Sequence, residues 1–216
     1  MNNKKITIVN TGSGNILSIK RAFEKCGAQV FISSDKKEIL SASRLVLPGV
    51  GAFSNAIKNL KLIEFFDVIS SSKFKQIPLL GICLGLQLFF EESEEFGKFE
   101  GLNLIKGKVK KLPQFSAEKK KLKIPSIGWH KLILTENAKT NGHNVFFKNF
   151  EKNNSFYFVH SYCADPIEKK TILASYNFGG HLITSVVAKD NIIGCQFHPE
   201  KSGPSGMNLI KNFISL

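Results

Sequence analysis

At 216 residues with 43% apolar side chains, the chain is long enough for one large domain burying roughly 70 to 75% of its unfolded surface, which excludes disorder and disulfide-stapled miniproteins. Thirty Lys and Arg against 17 Asp and Glu give a net charge of +13, enough to raise the question of a polyanionic partner. The apolar stretch 77–90 contains Pro78, Gly81, Gly85 and Gln87 and falls short of the ~18 residues of a membrane span, and the apolar run after Lys5 is too short for a secretory leader, so a cytoplasmic, reduced protein with no membrane contact is expected.

Residues 5–10 read as a strand that ends in Thr11-Gly12-Ser13-Gly14-Asn15. An amphipathic helix follows over 16–26, with apolar residues at Ile16, Ile19, Ala22, Phe23 and Cys26. A second strand over 29–32, a short helix over 35–41 and a third strand over 45–47 come next, the last ending in the loop Pro48-Gly49-Val50-Gly51-Ala52. Helical periodicity over 53–70, a buried strand over 78–82 and a helix over 84–92 continue the alternation. The pattern predicts an α/β fold: a doubly wound, mostly parallel sheet with helices on both faces and sites beyond the carboxyl ends of its strands.

After Gly101 the character changes. Strands are predicted over 107–112, 130–134, 156–164, 172–176, 181–188 and 192–197, an added antiparallel β-rich part, and a closing helix over 207–214. No internal repeat or Pro/Ser linker interrupts the chain, so residues 1–216 read as a single domain. The loosest segment is 106–123, which carries eight lysines against Glu118. Only Phe115 is available there to stack on bases, so a solvated lysine face, or one that meets an acidic protein, is expected instead of a nucleic-acid site.

Cys26, Cys83, Cys163 and Cys195 are widely scattered, and free thiols are expected in a chain without export signals. His160-x-x-Cys163 and Cys195-x-x-His198 offer two His and two Cys to a zinc ion. Both pairs lie in strand-like sequence, where residues three apart point to opposite faces, so no metal is expected.

Cys83 has a different claim. Gly81-Ile82-Cys83-Leu84-Gly85 stands where a buried strand passes into a helix, the form of a nucleophile elbow. Glycines two residues either side of the nucleophile admit the close chain approach that a tight turn needs. The helix start favours the thiolate, the reactive form, and leaves the N–H of Leu84 free for an oxyanion. A buried cysteine in a glycine-rich turn is the plainer reading of this motif taken alone.

A base is still needed. In extended chain His198 and Glu200 project to the same side, about 6.6 Å apart at Cα, so the carboxylate can hold the imidazole in the tautomer that accepts a thiol proton. A structural histidine capped by its neighbour is the alternative. Gly49 and Gly51 can expose backbone N–H groups at a strand end, the second half of an oxyanion hole, or form a simple strand-to-helix turn. His160, in Val159-His160-Ser161-Tyr162, could help shape a pocket. His130, His143 and His181 read as surface or satisfied core residues.

With these residues in hand, the sequence resembles the class I, triad-type glutamine amidotransferases of flavodoxin-like architecture. Gly81-Ile82-Cys83-Leu84-Gly85-Leu86-Gln87 is similar to their nucleophile motif and Gln196-Phe197-His198-Pro199-Glu200 to their His-x-Glu motif. Gly12-Ser13-Gly14-Asn15, Pro48-Gly49-Val50-Gly51-Ala52-Phe53, Gly128-Trp129, and Lys201-Ser202 with Gly206 extend the likeness over nearly the whole chain. Within the family it most resembles the glutaminase subunits of imidazole glycerol phosphate synthase. Leu86 supports that branch, since carbamoyl-phosphate and anthranilate synthase glutaminases usually have His there.

The resemblance implies that Cys83 attacks the side-chain amide carbon of L-glutamine, forming a glutamyl thioester and releasing ammonia. His198, oriented by Glu200, would shuttle the protons; Val50 or Gly51, with Leu84, would bind the oxyanion; and Gln87, His160, Ser161 and Tyr162 would hold the amino acid. It implies no cofactor and no metal. Ammonia would pass to a cyclase subunit of TIM-barrel fold in a heterodimer of histidine biosynthesis. His130 departs from the Asn that commonly follows Gly-Trp, a change at the expected partner interface. Three other readings compete: the same glutaminase feeding a sugar amidotransferase of surface-polysaccharide synthesis, a cysteine hydrolase or chaperone-like protein of the same architecture, and a non-enzymatic basic binding protein motivated by the charge.

Overall fold

The computed structural model describes residues 5–12, 15–140 and 142–216; Ser13 and Gly14 of the first glycine loop lie outside the described residues. β1 (Lys5–Val9) is buried from Ile6 onward on both faces, the pattern of a central parallel strand. α1 (Ile16–Lys25) buries Ile19, Ala22 and Phe23 along one stripe. β2 (Gln29–Ser33) leads to α2 (Lys36–Leu40), where the Asp35 carboxylate accepts hydrogen bonds from the N–H groups of Lys37 and Glu38, and β3 (Leu45–Leu47) is fully buried.

The helix predicted over 53–70 is two helices, α3 (Phe53–Leu62) and α4 (Phe65–Ser70), broken at Glu64, whose φ is 55°. The stripe Phe53, Ala56, Ile57, Leu60 would next bring Glu64 and Asp67 to the core. The left-handed residue resets the phase and buries Phe65 and Val68 instead.

β4 (Leu79–Ile82) and α5 (Leu84–Gln87) follow, and here the expectation of a helix over 84–92 is corrected: the chain leaves α5 at Gln87 and enters β5 (Phe90–Ser93). Distant backbone partners decide it. Leu104 and Ile105 donate to the Phe89 carbonyl at 2.8 and 2.9 Å, and Leu102 donates to that of Leu88 at 2.9 Å. β6 (Phe99–Glu100) and β7 (Ile105–Lys111) flank β5, and the later strand Tyr162–Pro166 pairs with the other edge of β7 to complete a four-stranded sheet. The first third of the lysine-rich segment is therefore strand, and the remainder carries a bridge between Phe115 and Lys121.

β8 (Ser126–Lys131) and β9 (Ile133–Leu134) divide the strand predicted over 130–134, and α6 (Asn137–Thr140) follows. The strand predicted over 156–164 is likewise two: β10 (Ser155–His160), paired with β8, and β11 (Tyr162–Pro166), paired with β7. Ser161 is the hinge between them, since alternation buries Phe156, Phe158 and His160 before it but Cys163, Ala164 and Pro166 after it. β12 (Ile172–Phe178), β13 (His181–Lys189), β14 (Ile192–Cys195) and α7 (Gly203–Ser215) complete the chain.

The main sheet runs β2-β1-β3-β4-β14-β13-β12-β9. Its first five strands are parallel and the last three antiparallel. Two cores flank it. Leu80, Ile82, Ile193 and Cys195 join residues of α1 and α7 on one face; Leu45, Leu47 and Leu79 join α3 and α4 on the other. The carboxyl ends of β3, β4 and β14 lie side by side, and the loops of interest all leave from there.

Candidate active site

Cys83 links β4 to α5 with φ 56° and ψ −108°, a sparsely populated conformation for a residue with a side chain and of order 1–3 kcal/mol in strain. The surroundings impose it. The Cys83 N–H donates to the Cys195 carbonyl at 2.8 Å, tying the turn to β14. A Cβ on Gly81 would stand 2.5 Å from Phe89 Cζ and 2.8 Å from the Gly85 backbone, and one on Gly85 would sit on the Leu47 carbonyl oxygen. The two glycines are thus required by close approach, and the elbow expected from Gly81-Ile82-Cys83-Leu84-Gly85 is formed.

His198 leaves β14 with extended backbone, but Pro199–Lys201 is a turn of 3₁₀ helix and not the straight chain expected. The pairing survives: Nδ1 of His198 donates to Glu200 Oε1 at 2.8 Å, with the Glu200 side chain fully buried. Several bonds brace the turn. The His198 N–H donates to the Tyr157 carbonyl at 2.9 Å, and the Ser202 hydroxyl donates to the His198 carbonyl at 2.6 Å while accepting from the Tyr157 N–H at 3.0 Å. Gly206 lets α7 close on the turn, since a Cβ there would meet the Pro199 carbonyl.

Burial opposes a charge on His198, but hydrogen bonds to Cys83 and to Glu200, with the charges of both groups, outweigh it and raise the ring to about 10. The imidazole therefore stands between a thiol and a carboxylate, with its proton on the carboxylate side fixed by an acceptor that cannot donate.

Cys83 and His198 open into a cavity of about 340 Å³. Val50 and Gly51 form one rim, and Gly49 lies against the start of α5, where a Cβ would come within 2.7 Å of Leu84 Cβ. The loop at the end of β3 and the Leu84 backbone are thus neighbours at the sulfur. Gln87, His160, Ser161 and Tyr162 line the opposite wall. Both nitrogens of His160 are engaged within the protein: Nδ1 with the Tyr162 carbonyl at 2.8 Å and Nε2 with the Tyr176 hydroxyl at 2.9 Å. Burial lowers this ring to about 4 against that backbone bond, with His130 and His198 adding repulsion.

Two residues of the site were given no role by the sequence reading. Glu95 lines the cavity and accepts the Phe53 N–H at 2.7 Å at the start of α3; in sequence it is the last of four glutamates within 91–95 that otherwise face outward or pair across strands. Gln196 is fully buried, with Nε2 3.8 Å from Cys83 Sγ. His130 is half-buried and meets Ser126 Oγ at 3.3 Å, while His143 and His181 bond the carbonyls of Asp190 and Phe115. Cys26, Cys163 and Cys195 are free thiols, and no three candidate metal ligands converge among the described residues.

The model of the class-I glutamine amidotransferases matches residues 7–216. Imidazole glycerol phosphate synthase subunit HisH 1 of Legionella pneumophila (strain Paris) is 43% identical over 98% of this chain and 99% of its own length. The HisH subunit of Prochlorococcus marinus subsp. pastoris is 40% identical over 97% of both chains. Among solved structures, a putative GMP synthase subunit of Thermoplasma acidophilum superposes with TM-score 0.70 at 20% identity, covering 100% of this chain and 94% of that one. PurLQS from Thermotoga maritima gives TM-score 0.70 at 16% identity, over 99% and 98%. These two likenesses carry the fold. The chain belongs to the class-I glutamine amidotransferase family and, at this level of identity over nearly its whole length, to the HisH subunits within it.

Proposed function

We propose that the chain hydrolyses glutamine to glutamate and ammonia through a Cys83 thioester, as the amidotransferase subunit of an imidazole glycerol phosphate synthase in histidine biosynthesis. The observation that carries the chemistry is His198, held 2.8 Å from the buried Glu200 carboxylate with Cys83 as its other side-chain partner, at the lip of a cavity. The relatives named above carry the biological role, since both are subunits of that synthase. One domain over 1–216 performs the reaction; no helix among the described residues is long and apolar enough to cross a bilayer.

Cys83 Sγ, its proton passed to His198, attacks the side-chain amide carbon of glutamine. The Leu84 N–H and that of Val50 or Gly51 receive the oxyanion. The C–N bond breaks as His198 gives its proton to the departing nitrogen, and ammonia leaves a glutamyl thioester. Water then attacks, its proton goes to His198, and the C–S bond breaks to release glutamate. Glu200 keeps the Nδ1 proton in place throughout, so Nε2 is the nitrogen that trades protons. Gln87 Oε1 and the backbone of Ser161 and Tyr162 hold the amino acid, and Glu95 suits its ammonium group. His160, with both nitrogens engaged, shapes the wall.

Ammonia passes to a cyclase subunit of TIM-barrel fold, which makes imidazole glycerol phosphate and aminoimidazole carboxamide ribotide; the two chains form a cytoplasmic heterodimer. The outer face of β8 and β10 suits such docking. Trp129 and Ile127 are 56% and 59% exposed there, and Trp129 stacks edge-on against Tyr157 at 6.0 Å. Cys83→Ala or Ser should abolish glutamine hydrolysis while leaving a cooperative urea unfolding transition; retained turnover would overturn the proposal. Glutaminase assays with and without the cyclase and its phosphorylated substrate test the coupling, for which activation by the pair is expected.

A further inference from the structure

The Gln196 amide has no part in the reaction as drawn, yet it lies against the reacting sulfur, fully buried, with one end 3.8 Å from Cys83 Sγ. Which end faces the sulfur follows from its neighbours. His160 Nδ1 lies 2.8 Å from the Tyr162 carbonyl, which can only accept, so Nδ1 carries the ring proton and Nε2 accepts from the Tyr176 hydroxyl at 2.9 Å. The same Tyr162 carbonyl is 2.9 Å from the Gln87 amide, so the Gln87 group there is its NH2. The second N–H of that NH2 reaches Gln196 at 3.0 Å, which makes the Gln196 atom facing it the oxygen. The Gln196 NH2 is left pointing at the sulfur. From His160 to Gln196 the chain of bonds runs through residues no more than 6% exposed, apart from Tyr162, which contributes its carbonyl, so water cannot readily scramble it.

We propose that Gln196 is a further catalytic residue of the glutaminase reaction, donating an N–H to Cys83 Sγ whenever that sulfur carries the charge. The proposal rests on Cys83 being the nucleophile. It acts twice. Before attack the sulfur is the anion; its electron pair then forms the S–C bond as the C–N bond breaks and ammonia takes a proton from His198. In the second half, water forms the new O–C bond, His198 takes the water's proton, and the S–C pair returns to sulfur as glutamate leaves. Between these steps the thioester sulfur is neutral and a weak acceptor, so the donor favours the charged ends of both halves. The amide is sealed behind the cavity wall and its oxygen holds Gln87, so a variant that keeps that oxygen should leave glutamine binding unchanged.

Gln196→Met keeps the length of the side chain and removes the donor, and Gln196→Glu keeps an acceptor but turns a carboxylate towards the sulfur. With the full chain and its cyclase partner, kcat should fall about ten-fold for Met and further for Glu, and the glutamine KM should stay within about two-fold in the Glu variant, which keeps the acceptor of Gln87. Iodoacetamide alkylation of Cys83 at pH 7 should slow by a similar factor. Unchanged kcat and alkylation in a folded Met variant would overturn the proposal. Should neither variant fold, the side-chain amide resonance of Gln196 in the unsubstituted chain decides: it should move as pH is raised and stay fixed in Cys83→Ser, and a resonance unmoved in both would overturn the proposal. Turnover in Cys83→Ser would instead sink the nucleophile assignment, a separate outcome.

Discussion

Two histidines border the same cavity from opposite walls, His198 only 3% exposed and His160 only 6%, and the fold drives them to opposite charge states. His198 is raised to about 10 and His160 lowered to about 4. Burial of this degree opposes charge on both rings, so it cannot explain the difference. Their partners do: His198 stands between a carboxylate and a thiol, whereas His160 stands between a carbonyl and a phenol with two other imidazoles nearby. Desolvation sets the penalty, and anions within bonding reach decide whether it is overcome.

The hardest test of this contrast is to remove the anion from the His198 side. Glu200→Gln keeps an amide oxygen for the Nδ1 proton but deletes the charge and allows the wrong tautomer. We expect kcat to fall by ~10²–10⁴ with little change in glutamine KM, read by steady-state kinetics of the complex. A KM effect alone would mean that Glu200 serves binding, and the contrast between the two rings would lose its catalytic meaning.

Stability against pH separates the rings next. The native chain holds the His198 proton up to about 10, while the unfolded chain releases it near the ordinary 6.5. The stability it contributes is therefore complete below about 6.5 and disappears as pH rises through about 10. His160 runs the other way. The unfolded chain takes up its proton near 6.5 and the native chain only near 4, so stability is lost as pH falls across that window, by roughly 3 kcal/mol. His160→Gln should flatten this acid limb in urea unfolding at a series of pH values. An acid limb as steep in the variant as in the unsubstituted chain would mean that another group carries it.

The same two walls explain what could be read from the sequence. The Cys83 elbow is local: Gly81 and Gly85 lie within two residues of the sulfur and serve contacts that any tight strand-to-helix turn demands. His198 and Glu200 are two apart, and their pairing was legible even though the intervening backbone turned out to be a 3₁₀ turn. The opposite wall is assembled from afar. Gln87 and Gln196 meet across 109 positions and Tyr176 and Ser126 across 50, and no periodicity records such meetings. The misread elements fail for the same reason. Leu88, Phe89 and Phe90 suit helix or buried strand equally, and the choice is made by backbone groups at 102–105 that a local window never sees. The strand over 156–164 looked continuous because its hinge, Ser161, breaks the pairing partners and not the composition.

The smallest effect is expected where the ion pairing looks strongest on paper. Lys108 Nζ lies 2.6 Å from Glu94 Oε1, closer than His198 lies to Glu200, and Lys110 lies 2.7 Å from Asp165 on the neighbouring strand. These contacts pair two of the eight lysines of the lysine-rich segment with the chain's own acids, which accounts for part of its charge without a foreign polyanion. Yet the side chains of Lys108 and Glu94 are 44% and 46% exposed against 4% and 0% for those of His198 and Glu200, and water screens the first pair while it leaves the second alone. Lys108→Gln should therefore leave glutamine hydrolysis unchanged and shift the urea midpoint by an amount near the limit of measurement, smaller still in 1 M salt. A large, salt-resistant loss would show that distance and not solvent governs ion pairs in this protein, and the account of why its two cavity histidines differ would fall with it.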